Sequence, residues 1–488
     1  MDFDDLDQAE TSLDKPAPLP IALRGPPPPL QLEPRRSVAP PGAQRVLVVG
    51  AGPTGCLAAS LLRRSADAVG KPLHLTVWER SRGPGGRMAG FWPNETRPVV
   101  ADVGAQVLSL DPGDAAASAE AERLQRRGLV EPVPPGQLAE TPERPAKRLR
   151  HWWALRGTSA VLQDYLNEAA PEDLRFNFES KRIEICSGGQ GQGAQWAVAG
   201  CKSRPWPSNT GMGGGGWSYG KMMADNAPRP VVTSEFDAVL VAVNGCEALR
   251  IDGLPAALTP STRAELSDGG IDYDTRLAFS FYFSPSLRPR LTECFAGVAE
   301  VSFEEGEQQM PQGMHECVAL VTSGMPVHLV AWQDVKRHPP PAVGSPTVLT
   351  VHCARAFSAA LVQLCQHQSG SQDPCGMGFA SVTNWLEGWL GVHPGSLERH
   401  VLHVKRMCWV ECQTVRALSS AGAKRRECLA ERQNPALVLC GDYLTEATFS
   451  GCLRSARAGA EAVLAALGAA CEPQKGAGAG GGGGCAGR

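Results

Sequence analysis

Val46-Leu47-Val48-Val49-Gly50-Ala51-Gly52-Pro53-Thr54-Gly55 is the stretch from which the rest of the chain is read. Its first four residues are apolar and mostly β-branched, as a strand buried on both faces requires. Glycines at 50, 52 and 55 follow, and residues 56–64 continue with helical spacing. The three glycines serve different ends. Gly50 permits a tight turn, Gly52 lets backbone approach a pyrophosphate, and Gly55 lets helix lie on strand. Residues 73–79 alternate and end on Glu79, placed to accept hydrogen bonds from a ribose. The unit is strand–helix–strand, with the amides of Ala51 and the helix start facing the phosphates of a dinucleotide. A plain glycine turn is the alternative, disfavoured because strand, helix and acid all stand where the motif needs them.

Outward from this unit, residues 236–243 and 436–440 read as further buried strands, and 451–467 as a closing helix. Residues 278–283, 318–321 and 328–332 read as strands of a largely antiparallel middle. The expected fold class is α/β: a discontinuous Rossmann-type domain with a mixed-sheet substrate domain assembled from intervening segments. Its dinucleotide-binding segments are expected over 45–110, 160–255 and 434–470, and its substrate-domain segments over 111–159 and 256–433. A Pro-rich arm over 1–44, with ten prolines, and a Gly-rich tail over 471–488 are expected to be disordered. A Gly-rich insertion falls near 201–230.

Composition narrows the function. At roughly 100–200 residues per domain, 488 residues allow two to four domains. Lys and Arg number 47 against 50 Asp and Glu, so the net charge of −3 excludes a basic nucleic-acid footprint over the whole chain. No run of 18 apolar residues appears, so no membrane span is expected. The 16 cysteines are scattered, without a Cys-x-x-Cys pair, and read as free thiols of a reducing compartment. Acids crowd the first 14 residues, which speaks against a transit peptide. The cytoplasm is the expected location, with a plastid or other organelle as the alternative.

Three further segments carry chemistry: Arg82-Gly83-Pro84-Gly85-Gly86-Arg87-Met88, Asp102-Val103-Gly104-Ala105-Gln106, and Gly441-Asp442 leading to Phe449-Ser450-Gly451-Cys452-Leu453. Gly85-Gly86 offers close backbone approach beside a fixed cation, Arg87. Asp442 stands at the carboxyl end of a parallel strand, where ligands bind in such sheets. Residues 451–453 offer helix N-terminal amides, suited to the negative charge a reduced flavin gathers. A nicotinamide-only dehydrogenase has no need of that last feature. These segments, with Gly157-Thr158-Ser159, resemble the renalase-like flavoproteins of the FAD-dependent amine oxidase superfamily, over about residues 45–467.

The resemblance implies non-covalent FAD. Gly50, Ala51, Gly52, Gly55 and Gly86 would border its pyrophosphate, with Arg87 on the flavin side. Glu79 and Arg80 would serve the AMP ribose, backbone of 180–183 the adenine, and Gly441 and Asp442 the ribityl-phosphate region. Ala105 and Gln106 would pass near the isoalloxazine, and Gly451, Cys452 and Leu453 would turn amides to its pyrimidine. The implied reaction is oxidation of a reduced nicotinamide, NAD(P)H or its dihydropyridine isomers, by hydride transfer to flavin N5. Oxygen then reoxidises the flavin to give hydrogen peroxide. Oxidation of a small amine is the runner-up, and phytoene-desaturase-like or protoporphyrinogen-oxidase-like chemistry a third reading. A flavin-binding scaffold whose prolines 26–29 recruit a protein partner is the competitor from another class.

Lys336 is a candidate for the lysine that related oxidases hold near N5, against a solvated turn lysine beside Arg337. Trp332 and Trp409 are candidate walls of the substrate pocket, against core packing, and Trp152-Trp153 carry the same two readings. Cys408 reads as an ordinary buried thiol. His400 and His403 have no apparent third ligand, so no metal is expected.

Overall fold

The fold is that of a computed structural model, which describes residues 42–92, 99–138, 149–187, 193–203, 229–267, 270–303, 314–337, 340–367, 373–418 and 426–468. The expectations for the Pro-rich arm, for most of the Gly-rich insertion and for the tail fall outside the described residues.

Six strands form one sheet in the order Cys428–Gln433, Ala436–Cys440, Ala238–Val241, Gln44–Val49, Leu73–Trp78, Asp173–Arg175. Neighbours run parallel, except the antiparallel pair of Cys428–Gln433 with Ala436–Cys440. Side chains divide by parity. Val46, Val48, Leu75, Val77, Leu240 and Val438 enter a core shared with the helices Pro53–Ala68, Thr158–Ala169 and Phe449–Ala466. Leu47, Val49, Trp78, Val239, Leu437 and Leu439 enter a second core. That one is shared with the antiparallel layer Val231–Phe236, Ala194–Lys202, Phe178–Ser187. Cover on both faces is why Val46–Val49, Ala238–Val241 and Ala436–Cys440 read as unbroken apolar runs. From Gln44–Val49 the chain moves to Leu73–Trp78 on one side and later returns to Ala238–Val241 on the other. Such a reversal opens a crevice at the carboxyl ends of the strands, and residues 50–55 lie there.

A second, five-stranded antiparallel sheet has the order Glu300–Ser302, Val327–Trp332, Thr347–Cys353, Arg276–Phe283, Val401–Trp409. Leu277, Phe279, Phe281 and Phe283 pack with the helices Arg288–Phe295, Arg355–His367 and Pro374–Leu390. The opposite face rests on the dinucleotide-binding part. There Tyr282 Oη donates to the Phe91 carbonyl at 2.6 Å and Thr350 Oγ1 to the Asp102 carbonyl at 3.1 Å.

Several elements differ from expectation. Residues 318–321 lie in the helix Met314–Ser323, not in a strand. Cys317, Leu320 and Val321 stand at helical spacing and pack with Ala360, Leu364 and Met377, which outweighs their β-branched neighbours. The expected strand 236–243 divides at Asp237, whose carboxylate accepts the Arg45 amide and the Gln195 side chain, both at 2.8 Å. The first helix is longer than 56–64 and starts at Pro53, whose missing N–H costs nothing at a helix start. Residues 111–159 supply Ala117, Ala121, Leu124, Val130 and Trp152 to the core beneath Pro53–Ala68, not to the core of the five-stranded sheet. Cys428–Gln433, expected in the substrate domain, edges the six-stranded sheet. Among the described residues, no helix is long and apolar enough to cross a membrane.

Candidate functional site

The glycines of the first turn do different work. Gly50 has φ 99°, and a methyl group there would meet the Ala242 carbonyl oxygen at 2.8 Å. A methyl on Gly55 would meet the Gly50 carbonyl oxygen at 2.0 Å. Both are therefore required by packing. A methyl on Gly52 would meet nothing within 4 Å, so the protein's own packing does not demand a glycine there. Opposite it stands the second glycine turn: a methyl on Gly86 would lie 3.6 Å from Gly52 Cα, and the Gly85 amide donates to the Ala51 carbonyl at 3.0 Å. Two small-residue turns thus face each other with room left at Gly52, the space a pyrophosphate fits.

Glu79 closes one side of this turn. Its two carboxylate oxygens accept the Ala51 amide at 2.8 Å and the Ser81 amide at 2.7 Å. Each oxygen keeps a lone pair for a ribose hydroxyl. Arg80 points elsewhere, to Glu247 at 2.8 Å on the surface. The backbone expected at the adenine is already paired. The Ile183 amide donates to the Asp252 carbonyl at 2.8 Å, and the Asp252 amide donates to the Lys181 carbonyl at 2.9 Å.

Arg87 and Asp442 form the other side. The guanidinium donates to both carboxylate oxygens, at 2.7 and 2.6 Å. Arg87 lies deep in the fold, yet 28% of its side chain is open to solvent because it borders the crevice. Burial alone would lower its pKa, but Asp442 outweighs that and raises it above the ordinary value. Gly441 is fixed by its amide, which donates to Ser455 Oγ at 2.8 Å. The Ala105 amide donates to the Arg87 carbonyl at 2.7 Å, and Gly104 lies so close to that carbonyl that a methyl would come within 2.1 Å. Cys452 also neighbours the pair. Burial, then the Asp442 charge, pushes its thiol up to about 12, while the Arg87 charge and then a hydrogen bond from Thr54 oppose them. The first helix, the Gly86 turn, the last strand and the last helix therefore converge on one place.

The last helix starts earlier than expected, at Phe449, with Thr448 as its N-cap. Thr448 Oγ1 accepts the Gly451 amide and its carbonyl accepts the Cys452 amide, both at 3.0 Å. The amides of Gly451 and Cys452 are thus used within the helix, and the Leu453 side chain is core. The first-turn amides belong to Phe449 and Ser450. A threonine immediately before an apolar helix start is the sequence signal for this cap.

A buried polar network supports residues 102–106. Lys336 is fully buried, which removes the solvated-turn reading, and donates to Gln106 Oε1 at 2.7 Å and to its carbonyl at 3.3 Å. Gln333 Nε2 donates to the same Gln106 Oε1 at 2.8 Å. Arg337 pairs with Asp102 at 2.8 Å, and Asp102 Oδ1 in turn accepts the Thr158 amide at 2.7 Å. Burial pushes the imidazole of His352, beside this network, down to about 4, so it is neutral at pH 7. Its Nε2 lies 2.9 Å from the Val103 carbonyl, and the neutral ring donates there. Gln333 and His352 were not expected from the sequence, since only tertiary contact brings them to residues 102–106.

The remaining candidates separate. Trp332 is core: it packs on Phe295, and its indole N–H donates to Thr347 Oγ1 at 3.0 Å. Its alternation with Ala331 turns it to the helix-covered face of the sheet, away from the crevice. Trp409 pairs with Arg276 across the sheet and is half-buried. Trp152 and Trp153 are buried, Trp152 in the core with the first helix. Cys408 packs on the helix-covered side, and burial pushes its thiol up to about 12. His400 Nδ1 lies 3.3 Å from Ser284 and from Ser286, whereas His403 stacks on Phe91.

The family profile of the NAD(P)-binding Rossmann-like domain matches residues 48–124. The chain thus carries a Rossmann-like dinucleotide-binding domain in a mixed α/β fold. It is also similar to renalase of Mus musculus, with 44% identity over 68 residues. That match covers 14% of this chain and 19% of the mouse protein.

Proposed function

We propose that the crevice binds FAD non-covalently and that the chain is an FAD-dependent oxidoreductase acting on a reduced nicotinamide, NAD(P)H or its dihydropyridine isomers. The observation that carries this reading is the Arg87–Asp442 pair standing beside the open space at Gly52. A dinucleotide needs the glycine turn alone. The added cation, the fixed carboxylate from the last strand and the helix start at Phe449 extend the cradle beyond it. The matched Rossmann-like domain and the partial likeness to a renalase support the same reading.

Bound FAD would supply the hydride acceptor, with oxygen as the final oxidant giving hydrogen peroxide. The chain's own residues bind and orient. Gly52 and Gly86 admit the pyrophosphate to hydrogen-bonding range, Arg87 offsets its charge, and Glu79 receives ribose hydroxyls. Asp442, held by Arg87, is left one lone pair on each oxygen for the ribityl-phosphate region. Lys336 and Gln333 hold Gln106 in one rotamer, and Arg337–Asp102 fixes the base of that segment. Lys336 is in this account a positioning residue. Cys408, protonated and on the far side of the sheet, supports non-covalent attachment.

Anaerobic titration of the purified protein with NADH, NADPH, their dihydropyridine isomers and small amines tests the reaction. Bleaching of a bound flavin by a nicotinamide, with recovery in air, is the expected result. Bleaching by an amine alone would replace this reading with the runner-up.

A further inference from the structure

Cys428 and Cys440 face each other across the antiparallel pair at the edge of the six-stranded sheet, each the register partner of the other. Residues directly opposite in a sheet share a face, and both side chains pack on the core beneath Pro53–Ala68 and Phe449–Ala466. The kind of pair follows from Ala436. Its amide donates at 3.0 Å to the Asp237 carbonyl, on the side of Ala238–Val241. Val438 and Cys440, two and four residues on, turn their amides the same way. Cys440 and Cys428 are therefore a non-hydrogen-bonded pair, with Cα atoms about 4.5 Å apart and side chains drawn close. A disulfide accepts Cα separations of roughly 4.4–6.8 Å, so the existing backbone allows the bond.

The two thiols are free but not equivalent. Cys440 is fully buried, and the last helix closes over it at Gly459, where a methyl would come within 3.4 Å of the sulfur. Cys428 is half-buried at the outer end of its strand. A polar cavity of about 270 Å³ opens near it, lined by Asp114, Glu427, Arg454, Arg457 and Glu461. Burial, then the charges of Glu427 and Glu461, push the Cys428 thiol up to about 11, which makes its reaction slow at neutral pH. Ser455 gives the pair its connection to the crevice. Its hydroxyl donates to the Glu427 carbonyl at 2.6 Å and accepts the Gly441 amide at 2.8 Å. One side chain of the last helix thus ties the residue before Cys428 to the residue after Cys440, and Asp442 comes next.

We infer that Cys428 and Cys440 are a reversible redox pair, oxidised by a peroxide to a disulfide that pins the edge strand to the strand leading to Asp442. Cys428, the more accessible thiol, attacks hydrogen peroxide as its thiolate. The O–O bond breaks, a sulfenic acid forms, and the released hydroxide takes up the thiol proton as water. Cys440 then attacks that sulfur. The S–S bond forms, the S–O bond breaks, and hydroxide leaves with the Cys440 proton as a second water. Two thiols and one peroxide thus give one disulfide and two waters. Exchange with a dithiol, itself oxidised, restores both thiols.

The test holds the full chain in hydrogen peroxide, alkylates the remaining thiols and reads tryptic peptides by mass spectrometry without reduction. The expected product joins peptide 427–432 to peptide 433–454, two hydrogens lighter than their sum. Fragment ions should place the bond on Cys440, not on Cys452, which lies in the same peptide. Dithiothreitol should remove the link. Oxidation should raise the melting temperature by a few degrees, since a closed loop constrains the unfolded chain. Cys428→Ser should show neither link nor rise, while melting close to reduced wild type. If that variant fails to fold, the peptide link in wild type decides alone. A bond from Cys428 to any other cysteine, or a Cys428 carried to sulfinic acid without a link, overturns the pair. So does a Cys428 recovered alkylated after prolonged exposure. No step needs bound flavin or turnover, so the outcome is separate from that of the proposed function.

Discussion

Arg87 and Asp442 stand 355 positions apart in the chain, yet the guanidinium places one hydrogen bond on each oxygen of the carboxylate. The pair ties the turn after the first strand–helix–strand unit to the end of the strand Ala436–Cys440. The crevice has its second wall only once that strand has docked.

Removing one partner should therefore act on fold and binding together. Asp442→Ala leaves Arg87 facing no anion and should cost about 2–3 kcal/mol, below the range for wholly buried pairs because Arg87 is partly open to solvent. The double variant Arg87→Met, Asp442→Leu should recover most of that stability and none of the FAD binding. Denaturant melts and flavin content measure the two effects separately. A double variant that binds FAD normally would remove the pair from the site.

Lys336→Met replaces a buried ammonium with a side chain of similar length. Gln106 Oε1 keeps its hydrogen bond from Gln333, so the unfolding free energy should stay within about 1 kcal/mol. Flavin content should be unchanged, whereas the rate of anaerobic flavin reduction by a reduced nicotinamide should fall at least tenfold, on the order expected for misplacing a group near the reacting atoms. Unchanged reduction kinetics would leave Lys336 a purely structural lysine.

His352 makes stability depend on pH. Burial, then Arg276, His328 and Lys336, hold its folded pKa near about 4, while its contact with the Val103 carbonyl opposes them. The unfolded chain takes up this proton near the ordinary histidine value of about 6.5. Between those values the unfolded state binds more protons, so stability falls as pH drops from 6.5 toward 4. The contribution is on the order of 3 kcal/mol over the whole window. His352→Gln keeps a donor for Val103 and should lose this part of the acid sensitivity. Urea melts of both proteins at pH 7 and pH 5 provide the check, and parallel losses would contradict the assignment.

Most of the Rossmann core is legible in the sequence because its signals are local. The run Val46-Leu47-Val48-Val49, the glycines and Glu79 occupy one short window, and parallel burial makes such strands unmistakably apolar. Residues 318–321 mislead because their valine content competes with the helical spacing of Cys317, Leu320 and Val321. Asp237 divides a strand through a carboxylate whose partners, Arg45 and Gln195, lie far away in sequence. The start of the last helix is obscured because glycine at 451 draws the eye ahead of threonine at 448.

The candidate site divides in the same way. Gly52, Glu79, Gly86, Arg87 and Asp442 are brought together as their motifs imply. Trp332 and Trp409 look alike in sequence, although the register of the five-stranded sheet sends them to opposite faces. The contacts of Gln333, Lys336 and Arg337 with residues 100–106 span more than 200 positions and carry no local signature.

The most direct test is a side-by-side FAD titration of wild type, Gly52→Ala and Gly55→Ala, with melting temperature recorded for each. The added methyl at position 52 meets nothing in the protein itself, whereas at position 55 it strikes the Gly50 carbonyl. Wild type should bind one FAD, Gly52→Ala should melt at nearly the same temperature with FAD binding abolished, and Gly55→Ala should lose the fold. A Gly52→Ala protein that binds FAD as wild type does, or a wild type that binds none, would contradict the account.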